Sequence, residues 1–195
     1  VRSKAKKSIE ELAEKLLKVY ADREVAEGIA FLPDTAEQSE FEDTFPFVET
    51  DDQIEAIEAV KRAMERPRPM DMLVCGDVGF GKTEVAMRAV FKCVMSGYQA
   101  MVLCPTTVLS SQHYKTFTGR MDAFGVNTAI LNRFTTAKEK KEILEKLASG
   151  ELDVVIGTHA VLSERIKCRR LGLLVVDEEQ RFGVMQKEKW KSWSE

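Results

Sequence analysis

The run Gly76-Asp77-Val78-Gly79-Phe80-Gly81-Lys82-Thr83 has the spacing G-x-x-x-x-G-K-[ST], and each part of that pattern suits a polyphosphate. Gly76, Gly79 and Gly81 let the backbone turn several N–H groups onto one anion, and a helix starting there adds its positive end. Lys82 supplies a point charge for the β- and γ-phosphates, and the Thr83 hydroxyl is a Mg2+ ligand. A glycine-rich turn with a chance Lys-Thr is the alternative. An apolar strand pattern before the run and a helical pattern after it favour the phosphate reading. Farther along, Asp177-Glu178-Glu179-Gln180 follows directly on Leu173-Leu174-Val175-Val176. A carboxylate at the carboxyl end of a buried strand sits where α/β sheets bind ligands. Asp177 is therefore read as holding Mg2+ opposite Thr83, and Glu178 as the general base that polarises the attacking water. An acidic loop would look the same if read alone. Together with the phosphate run, it reads as a nucleoside triphosphatase site.

Gln53 stays open between two roles. It stands in Thr50-x-x-Gln53, the spacing of a helix cap, and it also lies upstream of the phosphate run where an amide could read an adenine edge. One residue can serve both. Other ligand types are sparse. The cysteines, Cys75, Cys93, Cys104 and Cys168, contain no C-x-x-C pair, and Cys75 and Cys104 sit in apolar runs as buried thiols do. His113 and His159 are too isolated in the chain to suggest a metal.

These residues need a frame. Apolar residues are 44% of the 195 and charged residues 31%, enough apolar content for a sizeable core, so global disorder is excluded. No apolar run approaches the roughly 20 residues of a membrane-spanning helix; the longest strong one, Leu171 to Val176, is broken by Gly172. No signal-type stretch follows the basic start, so the expectation is a cytoplasmic protein with no membrane contact. The formal charge of -3 leaves any nucleic-acid surface to a local patch or to backbone contacts.

Ser8 and Glu11 have capping-box spacing ahead of a helix that Gly28 stops. From Phe31 to Glu49 an acidic connector follows, holding a short helix at most, with Phe41, Phe45 and Phe47 as anchors. A helix from Thr50 carries the stripe Ile54, Ile57, Val60 and Met64 and ends at Arg66-Pro67-Arg68-Pro69. After it, short apolar strands (72–75, 100–104, 127–131, 154–156, 173–176) alternate with helices (82–95, 108–117, 137–148). Continuous apolar runs between helices predict an α/β fold with a mostly parallel sheet covered on both faces.

Gly76 to Thr83, Pro105-Thr106-Thr107, Gly157-Thr158-His159 and Asp177-Glu178-Glu179-Gln180-Arg181-Phe182-Gly183 resemble successive motifs of the superfamily 2 helicase-like motors. The stretch from Glu40 to Gln53 and the helix text Leu16 to Arg23 are most similar to the transcription-repair coupling factor family, with the RecG fork-remodelling helicases as close relatives. The resemblance implies a RecA-like P-loop lobe over residues 48–195, incomplete and preceded by a helical connector over residues 1–47. Its cofactors would be ATP and Mg2+. It implies that Gln53 reads adenine and that Gln180 senses the γ-phosphate. Thr106, Thr107, Arg133, Phe134, Thr158 and His159 would face DNA. The implied function is ATP-driven translocation on double-stranded DNA, displacing stalled RNA polymerase and recruiting excision-repair proteins through parts outside this chain. A RecG-like fork-remodelling lobe is the first alternative, and a nucleotide-dependent binding module that never hydrolyses is the second. Met72, Asn132 and Cys168-Arg169-Arg170 depart from the family pattern.

The same resemblance implies a second lobe, a Ser/Thr-Ala-Thr motif and an arginine finger that do not appear in the text. The strand leading to that motif would lie between the phosphate-loop strand and the Asp177 strand. The expectation is therefore a gap in the middle of the sheet, with marginal stability unless something fills it. Weak nucleotide binding and very slow hydrolysis by the chain alone are expected with it.

Overall fold

The computed structural model describes residues 30–66, 71–75, 80–158, 166–177 and 181–186; for 71–75, 80 and 181–186 it describes the backbone alone. The helix expected after Ser8 lies outside the described residues. No helix among the described residues is long and apolar enough to cross a membrane.

Thr35 caps helix α1 (Ala36–Asp43) by accepting from the Gln38 N–H. Helix α2 (Asp51–Glu65) opens on a complete capping box: Thr50 accepts from the Gln53 N–H, and the Gln53 side chain accepts from the Thr50 N–H. Strand β1 (Asp71–Cys75) leads to helix α3 (Phe80–Met95), then β2 (Gln99–Leu103) to α4 (Thr107–Met121), which Thr106 caps. After a single 3-10 turn come β3 (Thr128–Leu131), α5 (Ala137–Ser149) and β4 (Val154–Gly157). A second complete capping box, Thr136 with Glu139, starts α5. The described chain closes with β5 (Leu171–Asp177) and β6 (Arg181–Gln186).

One sheet of six strands runs β1-β6-β5-β2-β4-β3. The four strands β5, β2, β4 and β3 are parallel neighbours. Strand β6 is antiparallel to both β5 and β1, so β1 points the same way as the parallel four. This corrects the expected gap. The position between β1 and β5 is filled, by the residues that directly follow the acidic motif. The direction has a simple cause: only residues 178–180 join β5 to β6, which suffices for a hairpin, whereas a parallel return needs a crossover of about a dozen residues.

Alternation along β2 divides the core. Ala100, Val102 and Cys104 pack with α1 to α4 on one face, while Met101 and Leu103 join Leu147 of α5, Leu152 and Ile166 on the other. The connector enters the first of these cores through Phe31 and Phe41, both buried. Phe41 stacks on Phe91 of α3 at 4.3 Å and meets Phe124 edge-on at 5.7 Å. Of the expected anchors, Phe45 is half-buried and Phe47 is 59% exposed. Ile54 is likewise exposed, leaving Ile57, Val60 and Met64 as the buried stripe of α2. Gly172 breaks the apolar run of β5 for a steric reason. A Cβ there would stand 2.7 Å from Tyr98 Cβ and 3.2 Å from Phe31 Cε1.

Candidate functional site

The sheet directions gather the expected site residues at one edge. The carboxyl ends of β1, β5, β2, β4 and β3 all lie on that edge. They lead respectively into the glycine run, Asp177, Cys104-Pro105-Thr106, Thr158 and Asn132-Arg133-Phe134. The register confirms the alignment: Leu103 pairs with both Gly157 and Val176, and Leu131 pairs with Gly157. Carboxyl ends of parallel strands are where open α/β sheets take ligands.

On the nucleotide side, Lys82 is buried and Thr83 half-buried in the first turn of α3. Gly81 is held against Gln53, since a Cβ at Gly81 would come within 2.7 Å of Gln53 Nε2. That contact gives the glycine a steric reason, and of the two roles weighed for Gln53 the structure displays the helix cap. Gln53 Oε1 accepts from the Thr50 N–H at 2.8 Å while its Nε2 lies against the phosphate-loop helix. Asp177 closes β5 and is buried, with its Oδ2 2.8 Å from His113 Nε2 of α4. Gly76, Gly79, Glu178 and Gln180 lie outside the described residues.

His113 is the residue that the sequence reading missed. It stands two turns into α4 and 64 positions from Asp177, so no local pattern announces the pair. Cys104 completes the group. The ligand-type atoms of Cys104, His113 and Asp177 all lie within 4.8 Å of one another, and all three residues are buried. Burial pushes the Cys104 thiol far above its ordinary pKa, and the Asp177 carboxylate adds to the shift.

Behind Thr83 sits an ion-pair network. Glu84 is 1% exposed and accepts from Arg88 Nε at 2.8 Å and from Arg120 Nη1 and Nη2 at 2.5 and 3.1 Å. Arg88 also donates to Glu49 at 2.7 Å. That hydrogen bond holds the Glu49 carboxyl below its usual range. Burial acts to lower the Arg88 pKa, but the hydrogen bonds to Glu49 and Glu84 outweigh it and the net shift is upward. Arg120 donates further to the Thr44 hydroxyl and the Phe41 carbonyl and lies 4.6 Å over the Phe41 ring. The connector, α3 and α4 thus meet at one carboxylate, immediately after the hydroxyl expected to meet Mg2+.

Of the residues expected to face DNA, the described ones follow three adjacent strands, β2, β4 and β3. Thr106 is exposed and caps α4; Thr107 is half-buried in its first turn. Thr158 is buried and donates its backbone N–H to the Leu131 carbonyl at 3.1 Å. Arg133 and Phe134 are exposed, with the guanidinium 4.8 Å over the ring. Asn132, one of the departures from the family pattern, shapes this loop. Its Oδ1 accepts from the Phe134 N–H at 2.9 Å, and its Nδ2 donates to Ser110 of α4 at 3.3 Å. His159 lies outside the described residues.

The parallel sheet, its helices and the residues gathered at its carboxyl edge define a helicase-like, RecA-type α/β lobe. The family model of the DEAD/DEAH box helicases matches residues 50–195, and the chain belongs to that family. It is 50% identical over 191 residues to the transcription-repair-coupling factor of Bacillus subtilis (strain 168), and 52% identical over 191 residues to that of Mycobacterium tuberculosis (strain CDC 1551 / Oshkosh). Each alignment takes in 98% of this chain and 16% of the relative, so the chain spans 16% of the length of these curated relatives. Among solved structures it is similar to RecG bound to a three-way DNA junction. The TM-score is 0.72 at 36% identity, covering 85% of this chain and 23% of that one.

Proposed function

We propose that this chain is the ATP-binding lobe of a motor that translocates on double-stranded DNA, within a protein that couples transcription to repair. The observation that carries the reading is the shared edge: Lys82 and Thr83 open α3 after β1, while Asp177 closes β5, a strand running in the same direction. The residues fit the expected cofactor. A threonine hydroxyl with a buried carboxylate is an oxygen donor set of the kind Mg2+ takes. Lys82 and the N–H groups of the first turn of α3 would hold the phosphates, Thr83 and Asp177 the Mg2+, and Gln53 the adenine. The ion, when bound, neutralises charge on the β- and γ-phosphates. His113 fixes the Asp177 carboxylate, and Glu178 takes the proton from the attacking water. Gln180 senses the γ-phosphate.

Thr106, Thr107, Arg133, Phe134, Thr158 and His159 would track the DNA backbone. Hydroxyls and backbone N–H groups hold phosphates without a large positive total, in keeping with the charge of -3. In the longer protein, movement on DNA would displace stalled RNA polymerase and bring in excision-repair proteins. The names of the curated relatives support that setting, and the likeness to a RecG–junction complex supports DNA as the track.

The test is a titration of the chain with a fluorescent ATP analogue in Mg2+, beside Lys82→Ala. Saturable binding that Lys82→Ala weakens at least tenfold is expected. Equal binding by the two proteins would refute the assignment.

A further inference from the structure

Cys104, His113 and Asp177 come from three different elements: the residue after β2, the second turn of α4 and the last residue of β5. Their sulfur, nitrogen and oxygen ligand atoms lie within 4.8 Å of one another beneath the strand edge. We propose that these three side chains form a binding site for one divalent transition-metal ion of the zinc class. The same carboxylate serves this ion and the nucleotide's Mg2+, so the two occupancies exclude each other.

The donor set selects the ion. A thiolate, an imidazole and a carboxylate suit Zn2+ and Co2+, whereas Mg2+ takes oxygen donors and neither sulfur nor imidazole. Reach is adequate as well. With metal–sulfur bonds of about 2.3 Å and metal–nitrogen or –oxygen bonds of about 2.0 Å, tetrahedral donors stand roughly 3.3–3.6 Å apart. Atoms already within 4.8 Å need side-chain shifts of about an ångström or less on each partner. The backbone need not move, and it is well fixed. The Cys104 N–H bonds the Gly157 carbonyl at 2.8 Å, and β2 and β5 are in direct register to Leu103 and Val176.

Without metal, the imidazole and carboxylate are hydrogen-bond partners at 2.8 Å. On binding, the thiol proton of Cys104 leaves to solvent, and neutral His113 lends the lone pair of the ring nitrogen that faces the ion. Three protein donors leave a fourth position for water. The consequence is inhibitory, since a zinc-class ion seated here withdraws Asp177 from the phosphate site. The metal site stands on its own geometry, and only this competition rests on the nucleotide reading above.

The experiment uses the whole chain with a phosphine reductant and titrates it with Co2+. Expected are ligand-field bands of tetrahedral Co2+ with a sulfur-to-cobalt charge-transfer band, saturating at one ion per chain and bleached by Zn2+. The charge-transfer band should vanish in Cys104→Ser, and the apparent affinity should fall at least tenfold in His113→Gln. Absence of the bands in the wild-type chain overturns the proposal, as does a charge-transfer band that survives in Cys104→Ser. In the second arm, Zn2+ should weaken binding of the fluorescent ATP analogue in Mg2+ by the wild-type chain but not by Cys104→Ser. Cobalt bands without that competition would overturn the shared-carboxylate step, and failure of nucleotide binding with cobalt bands intact would overturn the nucleotide reading instead.

Discussion

Glu84→Gln removes one charge from a buried carboxylate that two guanidinium groups share, while keeping its shape. Glu84 is 1% exposed and accepts three hydrogen bonds from two guanidinium groups, at 2.8, 2.5 and 3.1 Å. Breaking a buried ion pair from one side costs about 3–5 kcal/mol, because the remaining charge is left buried without its counter-charge. Two features reduce that figure here. Arg88 keeps Glu49 at 2.7 Å, and Arg120, whose side chain is 14% exposed, keeps the Thr44 hydroxyl and the Phe41 carbonyl. The expected loss is therefore about 2–3 kcal/mol, a large fraction of the roughly 5–15 kcal/mol that holds a domain folded. Urea unfolding followed by far-ultraviolet circular dichroism measures it, with Arg120→Gln and the double variant completing a cycle. The two single costs should overlap by at least about 1 kcal/mol. A loss below about 0.5 kcal/mol for Glu84→Gln, or costs that simply add, would refute the claim that this carboxylate joins α3 to α4.

Phe41→Ala should cost about 3–5 kcal/mol by the same assay, because a fully buried ring stacked on Phe91 leaves a cavity that a helical connector cannot collapse into. Val184→Pro places a proline in β6 between Met72 of β1 and Val175 of β5, and loss of the cooperative unfolding transition is expected on thermal scans. Asp153 tests a sign. Burial raises its carboxyl above the ordinary value, against the lowering hydrogen bond from the Asn127 N–H. The folded state thus holds the proton more tightly, and stability falls as pH rises from the unfolded carboxylate range through the folded pKa. Asp153→Asn, whose amide oxygen can still accept that hydrogen bond, should raise the melting temperature at pH 7 and flatten its dependence on pH.

Much of the fold was legible because its signals are local. Thr50 with Gln53 announced a helix start that the structure reproduces as a complete capping box, and the run 137–148 became α5. The apolar runs at 100–104, 154–156 and 173–176 became strands buried throughout. Two features were not legible. Residues 181–186 carry no strand-like apolar run; their pairing is dictated by the open ladders of β1 and β5 and by a connection too short for anything but a hairpin. The pair of His113 with Asp177 arises from sheet order, which places β2 and its following helix beside β5, and no spacing along the chain encodes that adjacency.

Relative magnitudes decide what holds residues 30–49 to the lobe. Their ion pairs are numerous: Asp34 with Lys61 at 2.6 Å and Lys92 at 2.8 Å, Glu42 with Lys61 at 2.5 Å, Glu49 with Arg88 at 2.7 Å. Most include a partly exposed carboxylate, Asp34 at 36% and Glu49 at 31%, and such pairs contribute about 0–1 kcal/mol each. Two buried aromatic rings, Phe31 and Phe41, contribute about 1.5–3 kcal/mol apiece by burial, and Phe41 gains further from its stack on Phe91. Apolar burial therefore supplies the larger part of the docking, while the ion pairs fix its register over α3. High salt should leave the segment docked, whereas Phe41→Ala should release it even at low salt, because screening acts on exposed charges and not on buried rings. The acidic composition of the connector, its most visible feature in the sequence, contributes the smaller share of its attachment.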